Sequence, residues 1–446
     1  MPLLTRRLGL ALLGAVGSLW LIWGGRSLAG ADVAQPLFAA LGASALGGVA
    51  LLWIALDRRF AATPLGALLA LALLLRLLAV QAGPLLEDDH FRYLWDGWRT
   101  ATTLDPYRLP PSAYFGRATL PAQWQDILSG INHPDTPTIY GPVQQGLFAL
   151  AYVVAPGQLL PLQALLLLVD MAVLGLLAQQ GVGRRWLLAY AMHPLILREA
   201  MAAAHPDGLL ALLLMLTLLA WRRRLAWAVG VTLGVALATK VAALVALPLL
   251  LFSPTAYRRW RWAAAVGSSC AAVTGLLYLP FLAIGGSDAV ALTAFGSQWR
   301  FNPLLYRWVE MAAPATAVRP LVALLVLVGI GVIAWRWQRA PTAMPPAAPP
   351  IDAALICLLL LSPVVNPWYW LWVLPLSLQR GRSAVVAVSV AAVLSHANTS
   401  VLALADLGPD TAVAFTVGWP LALVQLLTFG IAWVFDWRLR RRPANP

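Results

Sequence analysis

TPLGALLALALLLRLLAVQAGPLLEDDHFRYLWDGWRT, residues 63–100, decides the fold. An apolar run at 63–83 leads into three adjacent carboxylates, Glu87, Asp88 and Asp89, and then into the aromatic-rich segment Arg92-Tyr93-Leu94-Trp95-Asp96-Gly97. About 20 apolar residues cross a bilayer as a helix. Similar runs lie near 8–24, 35–56, 143–178, 186–204, 209–220, 225–252, 262–283, 318–337, 351–378, 383–405 and 411–435. The 446 residues are 61% hydrophobic and 11% charged, with a mean hydropathy of +0.76. A soluble domain is about one-quarter charged, so a soluble enzyme is excluded, and so is a disordered chain. The expected fold is an all-α polytopic membrane protein, because a lipid-facing segment satisfies its backbone internally. The run at 8–24 is expected to be a retained first helix, since another apolar span follows it with no small-residue cleavage site between them.

The net charge of +13 is read by position. Clusters at Arg6/Arg7, Arg58/Arg59, Arg184/Arg185, Arg222–Arg224, Arg258/Arg259/Arg261, Arg336/Arg339, Arg380/Arg382 and Arg438/Arg440–Arg442 hold 20 of the 31 basic residues. Alternating the crossings puts all of them on one side, the cytoplasmic side by the positive-inside rule. Both termini are then expected in the cytoplasm. Asp57, Asp352 and Asp436 fall at that boundary and Asp170 falls inside a span. The other carboxylates fall on the far side or at its edge, seven of them in the loop 84–142. The expected organisation is an N-terminal transmembrane module at 1–339, which includes that loop, a proline-rich cytoplasmic linker at 340–350 (APTAMPPAAPP) and C-terminal transmembrane helices at 351–446. Cys270 and Cys357 both lie in apolar runs and build no disulfide framework or metal knuckle.

Five places carry candidate chemistry. At Glu87-Asp88-Asp89 mutual repulsion raises the pKa of at least one acid or calls for a cationic partner, and such a carboxylate suits a general base for a hydroxyl. The alternative is a solvated acidic loop. The following segment reads as an amphipathic helix on the membrane surface. In Asn132-His133-Pro134-Asp135-Thr136-Pro137-Thr138-Ile139-Tyr140-Gly141-Pro142, the prolines stiffen the loop and fix His133, Asp135 and Tyr140; a packed surface loop explains it equally well. His205-Pro206-Asp207-Gly208 is a far-side turn between spans. Lys240, the only lysine, sits in an apolar run, where an ammonium either meets a phosphate or snorkels to the interface. Asn366-Pro367-Trp368-Tyr369-Trp370-Leu371-Trp372 is either part of an aromatic belt or a wall for a sugar or lipid. Helix breaks are expected at His193-Pro194, at Lys240 and at Ser362–Pro367. The sequence has no phosphate-binding glycine loop, no HExxH and no nucleotide-binding domain, so a far-side reaction needs a donor carried in the membrane.

The stretches EDDHFRYLWDGWRTATTLDPYRLPPS (87–112) and INHPDTPTIYGPVQQGLFAL (131–150) resemble the first extracytoplasmic loop of bacterial GT-C glycosyltransferases. The group meant is the mannosyltransferase-like proteins that use polyprenyl-phosphate sugars. HPDGLLALLL, LGVALATKVAALVALPLLL and SPVVNPWYWLWVLPL follow in the same order, so the resemblance spans roughly 60–380. It implies inverting transfer of a hexose, mannose by family default, to a hydroxyl of a glycan or glycolipid acceptor on the periplasmic face. A first-loop acid is then the base. Asp89, in Asp-x-x-Arg-Tyr, is preferred and Asp88 is the alternative. The resemblance gives His133, Asp135 and Tyr140 a substrate-positioning role, with Trp368 and Tyr369 as candidate wall residues. It gives Lys240, Arg92 and His205 the donor phosphate. This chain has Tyr140-Gly141-Pro142 where that group carries Tyr-Pro-Pro. The expected partners are the polyprenyl-phosphate sugar, the acceptor and the bilayer, with no nucleic acid. No cofactor is implied, no metal-ligand set is visible, and a divalent ion stays open. The competing function is a transporter or flippase of a lipid-linked saccharide, which broken helices and a buried lysine also fit.

Overall fold

The computed structural model describes residues 57–84, 88–117, 120–252, 259–339, 348–396 and 411–441. The expected spans at 8–24 and 35–56, Arg6/Arg7, Glu87 and most of the proline-rich linker lie outside them. Among the described residues the chain is helical, and its one β pairing is a bridge between Phe301 and Val364. The protein is an all-α, multi-pass membrane protein.

In chain order, the helices that matter here are α1 (Leu65–Ala82), α2 (Asp89–Thr103), α3 (Pro142–Val154), α4 (Leu160–Gln179), α5 (Gly208–Arg222), α6 (Ala226–Leu237), α7 (Arg259–Leu282), α8 (Ala315–Arg339), α9 (Ile351–Leu361), α10 (Ser383–Ala392) and α11 (Thr411–Arg441). Among the described residues, five stretches are long and apolar enough to cross a membrane: α1, α4, α7, α8 and Pro420–Arg438 within α11. The 18 residues of α1 span about 27 Å at 1.5 Å per residue, close to the hydrocarbon thickness.

Several expected spans are broken. The run at 143–178 is two helices, α3 and α4, separated where Ala155 is extended and Gly157 takes φ +72°. The run at 225–252 stops at α6. Lys240 is extended (φ −155°, ψ 130°), and a 3₁₀ turn, Val241–Ala246, follows. The run at 351–378 is α9, an extended stretch, and a 3₁₀ turn, Pro367–Trp372. His193 interrupts the run at 186–204, after which Ile196–Ala202 form a π-helix. Backbone groups released by a break need new partners. At 362–366 the loop 299–305 supplies them: Phe301 N–H bonds the Pro363 carbonyl at 3.0 Å, and Val365 N–H bonds the Phe301 carbonyl at 2.9 Å. Asn302 exchanges two amide hydrogen bonds with Gln425 of α11, at 3.1 and 3.0 Å.

One apolar core runs through the molecule and takes residues from before and after the linker. Ser389 of α10 meets His193 at 3.0 Å. At one end of α9 the buried Asp352 pairs with Arg380 at 3.1 Å and Arg382 at 2.7 Å, while Asp436 accepts from Ser383 at 2.6 Å. The 11 residues of α9 carry the chain about 16 Å from this arginine-rich end to the 362–372 turn.

An ion pair absent from the sequence reading joins α1 to α4. Arg76 Nε donates to Asp170 Oδ2 at 2.6 Å, and Tyr190 donates to Asp170 Oδ1 at 2.6 Å. Arg76 also bonds the Ala191 carbonyl at 2.5 Å. Both charged groups are buried. Removing one partner of such a pair strands the other, at about 3–5 kcal/mol. Arg76→Met should therefore lower the thermal unfolding midpoint of the protein in detergent markedly. Arg76→Met combined with Asp170→Leu should recover most of that loss.

Candidate active site

Five segments converge: the start of α2, the 131–142 loop, the 203–208 turn, the Lys240 break and the 367–372 turn. Amphipathicity sets α2. One face buries Arg92, Tyr93, Trp95, Asp96 and Thr100. Gly97 on that face lets α2 lie against α3, because an added Cβ would collide with the Phe148 carbonyl. Trp95 packs with Tyr114, Trp124, Ile127 and Leu128 in a separate small core that caps the loop.

The 131–142 loop is tied to α2 at several points. Asn132 Nδ2 lies 2.5 Å from Asp88 Oδ1 and 2.9 Å from Asp89 Oδ1. One amide thus bridges the two carboxylates that would otherwise repel. The Arg92 guanidinium donates to the Thr136 carbonyl at 2.8 Å and the His133 carbonyl at 3.2 Å. Deeper, Gln145 reaches Asp96 and Thr138, each at 3.1 Å. The loop then meets the Lys240 break. Val143 N–H bonds the Ala238 carbonyl at 3.1 Å, and a Cβ on Gly141 would overlap that carbonyl oxygen. The departure from Tyr-Pro-Pro therefore has a packing cause.

A file of polar groups leads inward from Asp89. The Tyr140 hydroxyl is 3.4 Å from Asp89 Oδ2 and 3.5 Å from the Tyr93 hydroxyl. Tyr93 is 2.7 Å from His205 Nδ1. His205 Nδ1 is itself 3.9 Å from Asp89 Oδ2. The His205 ring stacks on Trp368, with centroids 3.7 Å apart and planes at 13°. Beside this file, Lys240 Nζ pairs with Asp207 Oδ1 at 2.7 Å. Trp372 Nε1 donates to the same oxygen at 2.6 Å. The ammonium lies 4.6 Å from the Tyr369 ring and 4.8 Å from the Trp372 ring. Asp89 and Lys240 keep 17% and 15% of their side-chain surface exposed, so both remain within reach of a ligand.

Burial dominates the protonation states. It raises the Asp89 carboxyl above the usual range, Asp88 adds to the rise, and Asn132 and Arg92 oppose it. Burial also holds the Tyr93 and Tyr140 phenols protonated. It pushes His205 down to about 3 against the pull of Glu199, which leaves a neutral imidazole.

The structure brings Asp88, Asp89, Tyr140, His205, Lys240, Trp368 and Tyr369 together. It does not add Asp135, which is exposed, or the His133 ring, which is exposed and packs on Trp299 at 4.3 Å. Trp368 and Tyr369 are buried and cover His205 and Lys240, so they belong neither to a lipid-facing belt nor to an open wall. The guanidinium of Arg92 is engaged with loop carbonyls. His205 has Nδ1 on Tyr93 and Nε2 facing Glu199, so both its nitrogens face protein groups. Sequence reasoning passed over Tyr93, Asn132, Asp207 and Trp372 as partners, although all four stand in quoted motifs. It also missed Arg76 and Glu199. A charge inside an apolar run is itself a functional signal, so both were findable. Among the described residues no cluster of acids, histidines and cysteines is arranged to hold a metal.

The sequence matches the family described as alpha-(1->6)-mannopyranosyltransferase, N-terminal domain, over residues 10–256, more than half of the chain. The chain belongs to this mannosyltransferase family. All of the converging segments except the 367–372 turn fall inside the match. No curated protein and no solved structure matches the chain. As a family member the protein is a membrane glycosyltransferase that transfers mannose from a sugar donor to a glycan acceptor.

Gly141→Ala should disturb this glycosyltransferase where its loop meets the Lys240 break. Overpacking of this kind costs about 1–3 kcal/mol. Thermal unfolding should show that loss, and transfer activity should fall further than stability alone accounts for.

Proposed function

We propose that the site moves mannose from a polyprenyl-phosphate donor to a hydroxyl of a membrane-associated glycan, with inversion and with Asp89 as general base. In this reading the enzyme is of GT-C type. It lies in a bacterial inner membrane with both termini and the arginine clusters in the cytoplasm, and its site faces the periplasm. The observation that carries the reading is that Asp89 and the chain's one lysine, Lys240, are both partly exposed on one buried polar cluster, Asp89 facing His205 and Lys240 pairing with Asp207 two residues on.

The chemistry follows from the atoms present. Asp89 Oδ2 takes the proton of the acceptor hydroxyl as its oxygen bonds the anomeric carbon. The bond from that carbon to the phosphate oxygen breaks, and the electron pair leaves with the phosphate. Asp89 suits this role better than Asp88 because it also faces Tyr140 and His205. Lys240 keeps N–H groups beyond the one on Asp207, and these meet the leaving phosphate. Arg92 acts from behind by holding the 133–136 turn. His205 orients hydroxyls and does not bind phosphate. The family description supports an α(1→6) linkage, in which case the nucleophile is a primary hydroxyl of the acceptor sugar. Inversion to an α product then requires a β-linked donor.

The test is transfer from radiolabelled polyprenyl-phosphate mannose by the protein in nanodiscs. Asp89→Asn should abolish transfer with donor binding retained, and Asp88→Asn should keep substantial turnover. Normal transfer by Asp89→Asn refutes the base assignment. Donor movement across the bilayer without transfer would favour a flippase. Lys240→Ala should raise the donor KM or remove donor binding.

The pH dependence has a definite sign. A general base works deprotonated, so activity rises with pH through the raised Asp89 value. The acid limb of kcat/KM should therefore lie above the ordinary carboxylate value of about 4. A limb at or below that value contradicts the buried base.

A further inference from the structure

Glu199 is a fully buried carboxylate that no step above uses. It projects from the π-helix Ile196–Ala202, a helix form that recurs at functional sites. Its Oε1 is 2.8 Å from His396 Nε2 and 3.4 Å from Arg198 Nε, and its Oε2 is 3.6 Å from His205 Nε2. The backbone is bent to make this contact. Ala204 is left-handed, φ +61°, a conformation that residues other than glycine seldom adopt. The bend lets His205 N–H bond the Glu199 carbonyl at 2.9 Å. The main chain of His205 is thereby held to Glu199, and its Nε2 faces the Glu199 carboxylate at 3.6 Å, beyond hydrogen-bond distance.

We infer that Glu199 is a positioning residue: it fixes the hydrogen of His205 on Nε2, and through Tyr93 and Tyr140 it keeps Asp89 free to accept a proton. This rests on Asp89 being the base. The negative charge 3.6 Å from Nε2 favours the tautomer with its hydrogen there, which leaves Nδ1 as an acceptor. Nδ1 then takes the hydrogen of Tyr93, 2.7 Å away. The Tyr93 oxygen in turn accepts from Tyr140, whose single hydrogen stands between Tyr93 and Asp89 at 3.5 and 3.4 Å. With the opposite tautomer, Nδ1–H points at Tyr93, Tyr93 gives its hydrogen toward Tyr140, and Tyr140 gives its own to Asp89. A carboxylate that already accepts such a bond is a weaker base. The groups that bear on the His205 ring are Asp89, His90, Tyr93, Glu199, Lys240 and His396, and among them Glu199 is the acid on the Nε2 side.

The test is a double-mutant cycle on the full chain in nanodiscs, with polyprenyl-phosphate mannose as donor. Glu199→Gln keeps the volume but offers an N–H to Nε2. It should lower kcat by at least about tenfold, a part of the 10²–10⁴ that general-base catalysis contributes, with donor KM unchanged and the acid limb moved to lower pH. His205→Phe keeps the stack on Trp368 and removes both nitrogens. The double variant should be no slower than His205→Phe alone, because coupled residues are non-additive. Tyr93→Phe cuts the same file and leaves the Glu199 cluster intact, so it keeps the test open if Glu199→Gln fails to fold; it should likewise reduce kcat with donor KM unchanged. Additive losses in the cycle, a changed KM at wild-type kcat, or a fully active Tyr93→Phe would overturn the inference. An active Asp89→Asn protein would instead overturn the base assignment beneath it, so the two failures are distinguishable.

Discussion

The Lys240–Asp207 pair is the contact on which the site depends. An ammonium in an apolar run is costly unless a counter-charge meets it, and Asp207 does so at 2.7 Å. Three helix breaks then have to meet at one point, because Asp207 belongs to the 203–208 turn, Lys240 to the end of α6, and Trp372 to the turn after α9. His205, two residues before Asp207, is placed by the same turn. Gly141 brings the acidic loop against the carbonyl two residues before Lys240. The carboxylates of α2 thus reach a cluster built from segments far apart in the chain.

The fold was legible because composition and arginine placement are properties of the chain as a whole. The positions of the breaks were legible too, since His193-Pro194, Lys240 and Ser362–Pro367 stand out as polar or proline residues in apolar runs. The interruption at Ala155–Leu159 was not, because a short glycine turn between apolar segments looks like more span. Within the site, residue types pointed to Asp89, Tyr140, His205 and Lys240 but could not say which groups pair. His205 and Arg92 looked equally fit for a phosphate. Only the fold turns one toward Tyr93 and Glu199 and the other toward two loop carbonyls. Arg76 and Asp170 lie 94 positions apart, so nothing local in either helix tells of the partner.

Stability and function meet in the buried polar groups. A small cavity lined by Asp170, Tyr190, Ala200, His205 and Gly208 lies between the α1–α4 ion pair and the polar file. Asp170 of the ion pair and its partner Tyr190 line one part of it, and His205 of the file lines another. The links from Asp89 through Tyr140 and Tyr93 to His205 Nδ1 are each made, and such a connected run favours one arrangement, which suits the proposed base.

The most direct measurement is an electron cryo-microscopy map of the Asp89→Asn protein in nanodiscs with polyprenyl-phosphate mannose bound. The account predicts the donor phosphate against Lys240 and the anomeric carbon turned toward residue 89, with room for an acceptor oxygen at about 3–3.5 Å. A donor bound at the Asp352–Arg380 end, or with its sugar turned away from residue 89, would contradict it.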